Sequence, residues 1–245
     1  TNGFNVVGIT LGANSQTVTV NYGGASSTCT AGSGTFSCAF TAGVLAAANS
    51  GSGISDGTIT VTADVDDATG NSATQAVSTL IQDTVDPTMT NTSATVSSGA
   101  STTTAAIVLV YTASQATSNF VIGDITATNC NNAAFTTTST TVYGSTCTAS
   151  SDGTPTVSVA AGAFSDATGN TNSVSNTYTW TYDTASPTMT ITSTAGDSDG
   201  DTSAVAAYAL TYTSSEATAN FAVGDITGSS CTVGGFGTTS TTVYT

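Results

Sequence analysis

Asp83-Thr-Val-Asp-Pro-Thr-Met-Thr90 returns one hundred residues later as Asp183-Thr-Ala-Ser-Pro-Thr-Met-Thr190. The match carries on downstream. Ser118-Asn-Phe-Val-Ile-Gly-Asp-Ile-Thr126 aligns with Ala219-Asn-Phe-Ala-Val-Gly-Asp-Ile-Thr227, Cys130 with Cys231, Phe135 with Phe236, and Thr-Thr-Val-Tyr at 140–143 with 241–244. A period of this size is a whole domain rather than a solenoid unit. Residues 1–82 share Ser-Asp-Gly-Thr (55–58 and 151–154) and Asp-Ala-Thr-Gly-Asn (67–71 and 166–170) with the second copy, and read as a divergent unit. The chain therefore divides into 1–82, 83–182 and 183–245. The third copy stops near its middle, so either the natural chain continues or a strand from elsewhere completes it.

The local pattern within each copy is that of strands. Thr17-Val-Thr-Val-Asn-Tyr22, Thr58-Ile-Thr-Val-Thr-Ala63 and Thr177-Tyr-Thr-Trp-Thr-Tyr182 alternate polar and apolar residues at period two. Threonine suits the outer face because it is β-branched yet polar. Ile107-Val-Leu-Val-Tyr111 is continuously apolar, which predicts a strand buried on both faces. Gly, Asn, Asp and Ser punctuate these runs as in an all-β sandwich. Helical periodicity is confined to Gly43-Val-Leu-Ala-Ala-Ala-Asn49, a short helical turn expected to cross between sheets.

Composition removes whole classes of function. The 245 residues include no Lys, Arg or His, and the 15 carboxylates give a formal charge of −15. Nothing can neutralise phosphates, so nucleic acid is not an expected partner. Acidic membrane surfaces repel such a chain, and no apolar run reaches the roughly 18 residues that span a bilayer, so direct membrane insertion is not expected. Ser-His and Cys-His dyads, Schiff bases, imidazole metal sites, side-chain salt bridges and lysine isopeptide cross-links all lack a required group. No signal peptide is visible, and the chain opens on Thr1, as a mature or excised segment does.

Cys29 and Cys38 flank Ala31-Gly-Ser-Gly34, a turn signal, which predicts a disulfide across a hairpin. Cys130 and Cys147 flank the Thr-rich turn around Thr138 in the same way. Cys231 matches Cys130, so its partner is expected just beyond the end. Two disulfides imply an oxidising, extracellular setting; buried free thiols are the alternative.

Taken together, the linker Asp83-Thr-Val-Asp-Pro87, the step Gly123-Asp-Ile-Thr126 and the closing Asp166-Ala-Thr-Gly-Asn170 resemble bacterial Ig-like tandem repeats. Such repeats build the stalks of large cell-surface adhesins and biofilm-associated proteins. Residues 1–82 look like the biofilm-protein type, and the later copies resemble a second Ig-like subtype. The cysteines and the lack of basic residues depart from the family. The resemblance implies tandem immunoglobulin-like β-sandwiches in an extended array at the cell surface. It also implies calcium as a possible joint stiffener, because hard cations take several carboxylate and carbonyl oxygens. In such a sandwich Asp166 is expected near Asp83 and Asp86 at the first junction. Asp124, at the opposite pole of the second domain, is expected to face Asp183 at the second junction. The alternative is that these residues form turns and caps.

Other motifs have plainer readings. Asp197-Ser-Asp-Gly-Asp201 resembles the start of a calcium loop, but Thr202 stands where an EF-hand needs Gly. Asp83-Thr-Val and Asp183-Thr-Ala resemble aspartic-protease triplets without their glycine, and both sit on linkers. Asn91-Thr-Ser93 is the sole N-glycosylation sequon, and the abundant Ser and Thr are candidate O-glycan sites. Trp180, between Tyr178 and Tyr182, is read as an inner-face residue or as a carbohydrate platform. An ice-binding Thr array is disfavoured because such strands twist. The function expected is a non-catalytic repeat segment of an extracellular stalk or filament. Its partners are neighbouring repeats or copies of the same chain. An adhesin module binding glycans or a receptor is the alternative.

Overall fold

The computed structural model describes residues 3–10, 14–51, 53–193 and 198–245. Of the three sequence units, the first stretch, 1–82, holds β1 (Phe4–Ile9), β2 (Thr17–Tyr22), β3 (Ala25–Thr30), β4 (Thr35–Phe40), α1 (Ala42–Gly51), β5 (Gly57–Val65) and β6 (Ala76–Gln82). The second builds β7 (Met89–Thr92), β8 (Ser101–Thr102), β9 (Ala106–Ala113), β10 (Ile125–Thr128), β11 (Cys130–Thr137), β12 (Val142–Ala149), β13 (Thr156–Val159), β14 (Tyr178–Thr179) and β15 (Thr181–Tyr182). The third holds β16 (Met189–Ser193), β17 (Leu210–Ser214) and β18 (Val243–Tyr244). Every described strand pairing falls within one of these three stretches. No helix among the described residues is long and apolar enough to cross a membrane.

The second stretch has immunoglobulin topology. One sheet runs β11–β12–β9–β7 and the other β10–β13–β14. In chain order these are strands D-E-B-A facing C-F-G, the partition of a constant-type Ig domain. β15 leaves the second sheet and pairs in parallel with β8. Between the sheets lie Ile107, Leu109, Tyr111, Val157, Val159, Phe164 and Trp180, each nearly or wholly inaccessible. Trp180 is thus an inner-face residue and offers no carbohydrate platform. The third stretch repeats the A-B-E order as β16–β17–β18.

The repeated Thr-Thr-Val-Tyr motif has a physical role. The Tyr143 hydroxyl reaches back to the carbonyls of Thr117 (2.7 Å) and Thr140 (3.0 Å), pinning the chain on either side of the sheet. Tyr244 does the same with Thr218 and Thr241, at 3.1 and 2.9 Å. Its ring packs edge-on against Phe221 as that of Tyr143 packs against Phe120, with centroids 4.9 and 5.0 Å apart.

In the first stretch β3–β2–β5–β6 form one sheet and β1–β4 the other. α1 links β4 to β5, so it does cross between sheets. Two expectations need correction. β3 and β4 are not a hairpin: β3 pairs with β2 and β4 with β1, so the Cys29–Cys38 bond (Cα–Cα 4.9 Å) ties the two sheets together. Cys130–Cys147 does lie within the β11–β12 hairpin, with Cα–Cα 5.7 Å. Secondly, β9 is buried on one face only. Ile107, Leu109, Tyr111 and Ala113 point inward, while Val108 is 54% exposed. An antiparallel sandwich covers only one face of each sheet, so even an interior strand such as β9 is buried on one side only.

Candidate functional site

The two linkers, Asp83–Pro87 and Asp183–Pro187, are where the repeated motifs converge. Thr84 donates both its backbone N–H (3.1 Å) and its hydroxyl (3.0 Å) to the carboxylate of Asp56, on the loop before β5. Thr184 donates the same two groups to Asp152, at 3.1 and 2.9 Å. Asp56 and Asp152 are the acidic residues of the two Ser-Asp-Gly-Thr motifs. The glycine after each has a positive φ, 124° at Gly57 and 133° at Gly153, which an L side chain rarely adopts. Sequence reasoning noticed the motif but missed its partner, which lies about thirty residues downstream on the linker.

Each linker also turns on its own aspartate. Val85 N–H donates to Asp83 Oδ1 and Ala185 N–H to Asp183 Oδ1, both at 3.1 Å, the geometry of an Asx turn. From the far side, the second repeat grips the first linker. Gln115 Nε2 donates to the Val85 carbonyl at 2.7 Å, Asn170 Nδ2 to the Asp83 carbonyl at 3.1 Å, and Ser173 N–H to the Pro87 carbonyl at 3.0 Å. The first linker is held by side chains from both neighbours.

The carboxylate of Asp166 is used locally. Its Oδ1 accepts from the N–H groups of Thr168, Gly169 and Asn170 and from the Thr168 hydroxyl, and its Oδ2 from Asn170 Nδ2. Asp67 is bound the same way by Thr69 and Asn71. Burial works to raise the pKa of Asp166, but the bonds from Asn170 and Thr168 prevail and bring it to about 2. At Asp67 the bonds from Asn71, then Thr69, hold the carboxyl far below its ordinary value. The Asp-Ala-Thr-Gly-Asn motif is a self-capping turn in both copies, and in the second its asparagine, Asn170, also reaches the linker.

The carboxylates expected at the junctions are not gathered into one cluster among the described residues. Among the described residues no three acidic or cysteine side chains stand together as metal ligands. Asp166 reaches the first junction, but both its oxygens are engaged. Asp86 is exposed, and Asp83 serves its own turn. Asp124 is not at the exit pole. It precedes Ile125, which pairs with Val159, whereas the exit end of β10 is Thr128 opposite Thr156. There it caps a single 3-10 turn by accepting from Val121 N–H at 2.8 Å, as Asp225 does for Ala222. In the calcium-loop resemblance Asp197 lies outside the described residues, and Asp201 accepts from Ser198 N–H at 2.7 Å.

Asn91 is also corrected. It is 2% exposed, and its Nδ2 donates to Ser175 Oγ (2.9 Å) and to the Asn176 carbonyl (2.8 Å). A glycan cannot attach there in the folded domain. Cys231 is a free, exposed thiol.

The fold is thus an Ig-like sandwich repeated along the chain, with the linkers as its shared site. No protein-family model and no curated protein matches the chain. Solved structures do. A tetra-tandem repeat from the extending region of a large adhesion protein is 21% identical, covering 86% of this chain and 52% of that one, at TM-score 0.33. Invasin, a bacterial integrin-binding protein, is 15% identical over 87% of this chain and 46% of its own, at TM-score 0.35. InvD of Yersinia pseudotuberculosis is 16% identical over 87% and 59%, at TM-score 0.30. The chain spans about half the length of these structures. Their superposition on it is loose, and the sandwich assignment rests on this chain's own strand order.

Proposed function

We propose that the chain is a non-catalytic segment of an extracellular surface stalk, in which Ig-like repeats are held end to end by clamped linkers. The observation that carries this reading is the recurrence of one joint. The same two donors of a linker threonine meet an aspartate of the preceding repeat at both junctions. A chance surface contact has no reason to recur with the same atoms, whereas a spacer needs the same joint each time. The two disulfides and the absence of basic side chains, which denies trypsin-type proteases their sites, suit life outside the cell. The partners are neighbouring repeats, and the joints are held by hydrogen bonds of the chain itself.

Small-angle scattering tests this. Strands of six to eight residues plus a linker give roughly 35–40 Å per repeat, so this chain forms a rod of about 90 Å with a radius of gyration near ~27 Å. A compact body of this length has about 18 Å. The rod value should persist in a chelator and broaden in a D56A/D152A double variant. A value near the compact limit, or a clear dependence on calcium, overturns the reading.

A further inference from the structure

The repeats that follow the two linkers meet them with different side chains. Thr112-Ala-Ser-Gln-Ala-Thr-Ser-Asn-Phe120 of the second repeat aligns with Thr213-Ser-Ser-Glu-Ala-Thr-Ala-Asn-Phe221 of the third. The backbone is anchored alike in both copies. Ser114 N–H donates to the Thr88 carbonyl while its hydroxyl accepts from Thr88 N–H, and Ser215 does the same with Thr188, all at 2.9 Å. The next residue is therefore launched from the same place towards the linker. In the second repeat it is Gln115, whose amide donates to the Val85 carbonyl at 2.7 Å. In the third it is Glu216, and among the described residues nothing donates to the Ala185 carbonyl.

An ionised carboxylate has only acceptors, so it cannot make the bond that Gln115 makes; a protonated one carries an O–H and can. We propose that the second linker is an acid-tightened joint, with Glu216 as the positioning residue that closes on the Ala185 carbonyl only when protonated, while Gln115 keeps the first joint closed at any pH. The ionisable groups around the second joint are Asp183 on the linker, Asp152 on the preceding repeat, and Asp225, which shares a groove with Pro187 and Ser214. All are carboxylates, and the chain has no cationic side chain to pair with Glu216. The joint thus has a looser neutral state and a tighter acid state, set by one side chain.

Glu216→Gln keeps the shape and supplies the donor permanently. Amide exchange at Thr184 and Ala185, followed by mass spectrometry or NMR and corrected for intrinsic rates, reads the joint directly. At neutral pH, E216Q should exchange roughly two- to tenfold more slowly there than the unaltered chain, the range expected of one hydrogen bond. At about pH 3, where a glutamic acid is protonated, the difference should vanish. Both proteins share Asp152 and Asp183, so any effect of those side chains cancels in the comparison. Gln115→Glu should do the reverse at Thr84 and Val85. Equal exchange at neutral pH, or a difference that persists unchanged in acid, overturns the proposal. It concerns the same linkers as the stalk reading but is decided by exchange at Ala185, so it can fail while the rod survives, and the converse.

Discussion

Replacing Tyr143 by Phe removes one oxygen from the second repeat and nothing else. The ring keeps its edge contact with Phe120, at 5.0 Å, and its stacking on Phe135, at 5.9 Å. What is lost is the hydroxyl donated to the Thr117 carbonyl at 2.7 Å, shared with the Thr140 carbonyl at 3.0 Å. Thr140 still accepts from Thr117 N–H, at 2.8 Å. Thr117 is 3% exposed, so water cannot readily replace the hydroxyl at its carbonyl. Losing a hydrogen bond beside a buried acceptor costs about 1–2 kcal/mol. For a domain of this size that is a drop of about 5–15 °C in Tm. The assay is unusually clean. Trp180 is the chain's single tryptophan and is fully buried in the second repeat, so its fluorescence reports that repeat alone. Tyr244→Phe, the equivalent change in the third repeat, should leave the Trp180 transition in place. A Y143F shift below about 2 °C would refute the claim that this hydroxyl pins the fold.

Two further outcomes follow from the same geometry. Expressed in a host that attaches N-glycans, the folded protein should carry none at Asn91, because its amide nitrogen is buried against Ser175 and Asn176; a glycopeptide at Asn91 from folded material contradicts the structure. Stability should fall at both pH extremes. Asp67 and Asp166 have folded pKa values below the ordinary 3.8, so their contribution is full above that value and is lost as the pH falls through the lowered values, about 2 for Asp166 and lower still for Asp67. Asp166→Asn should flatten the acid limb of the Trp180 melt, and an unchanged limb counts against the turn as its source. Burial raises the pKa of Tyr111 and Tyr143, so their contribution is present below the ordinary 10.0 and is lost as the pH rises beyond it. An alkaline limb that starts well below pH ~9 points to another group.

The sandwich was legible because its signal is local. Alternation in Thr17–Tyr22 and Thr58–Ala63 marks which side chains turn inward, and Val18, Val20, Ile59 and Val61 are buried as that alternation requires. The helical crossing at α1 was visible for the same reason. What failed to show is long-range. Nothing near Cys29 or Cys38 says that β3 and β4 belong to opposite sheets, because that depends on β1 and β5. The sequon at Asn91 is blind to Ser175 and Asn176, more than eighty residues away. The pole of Asp124 depends on the direction in which β10 meets β13. Repeated motifs sit between these cases. Ser-Asp-Gly-Thr and Asp-Thr were each visible as recurrences, but their pairing needed the linker in place.

The composition itself acquires a reason at this point. In a chain without Lys, Arg or His, a carboxylate that bonds to the protein rather than to water does so through backbone N–H, amide and hydroxyl donors. Those are the partners seen: Asp56 with Thr84, Asp152 with Thr184, Asp67 with Thr69 and Asn71, Asp166 with Thr168 and Asn170, and Asp64 with Gln75. Thr and Ser, 89 of the 245 residues, are therefore more than strand formers, since threonine also takes the place of the missing cations at the joints. Such bonds are shorter in range than ion pairs and far less sensitive to salt. The joints should accordingly keep their geometry across ionic strengths that dissolve surface salt bridges.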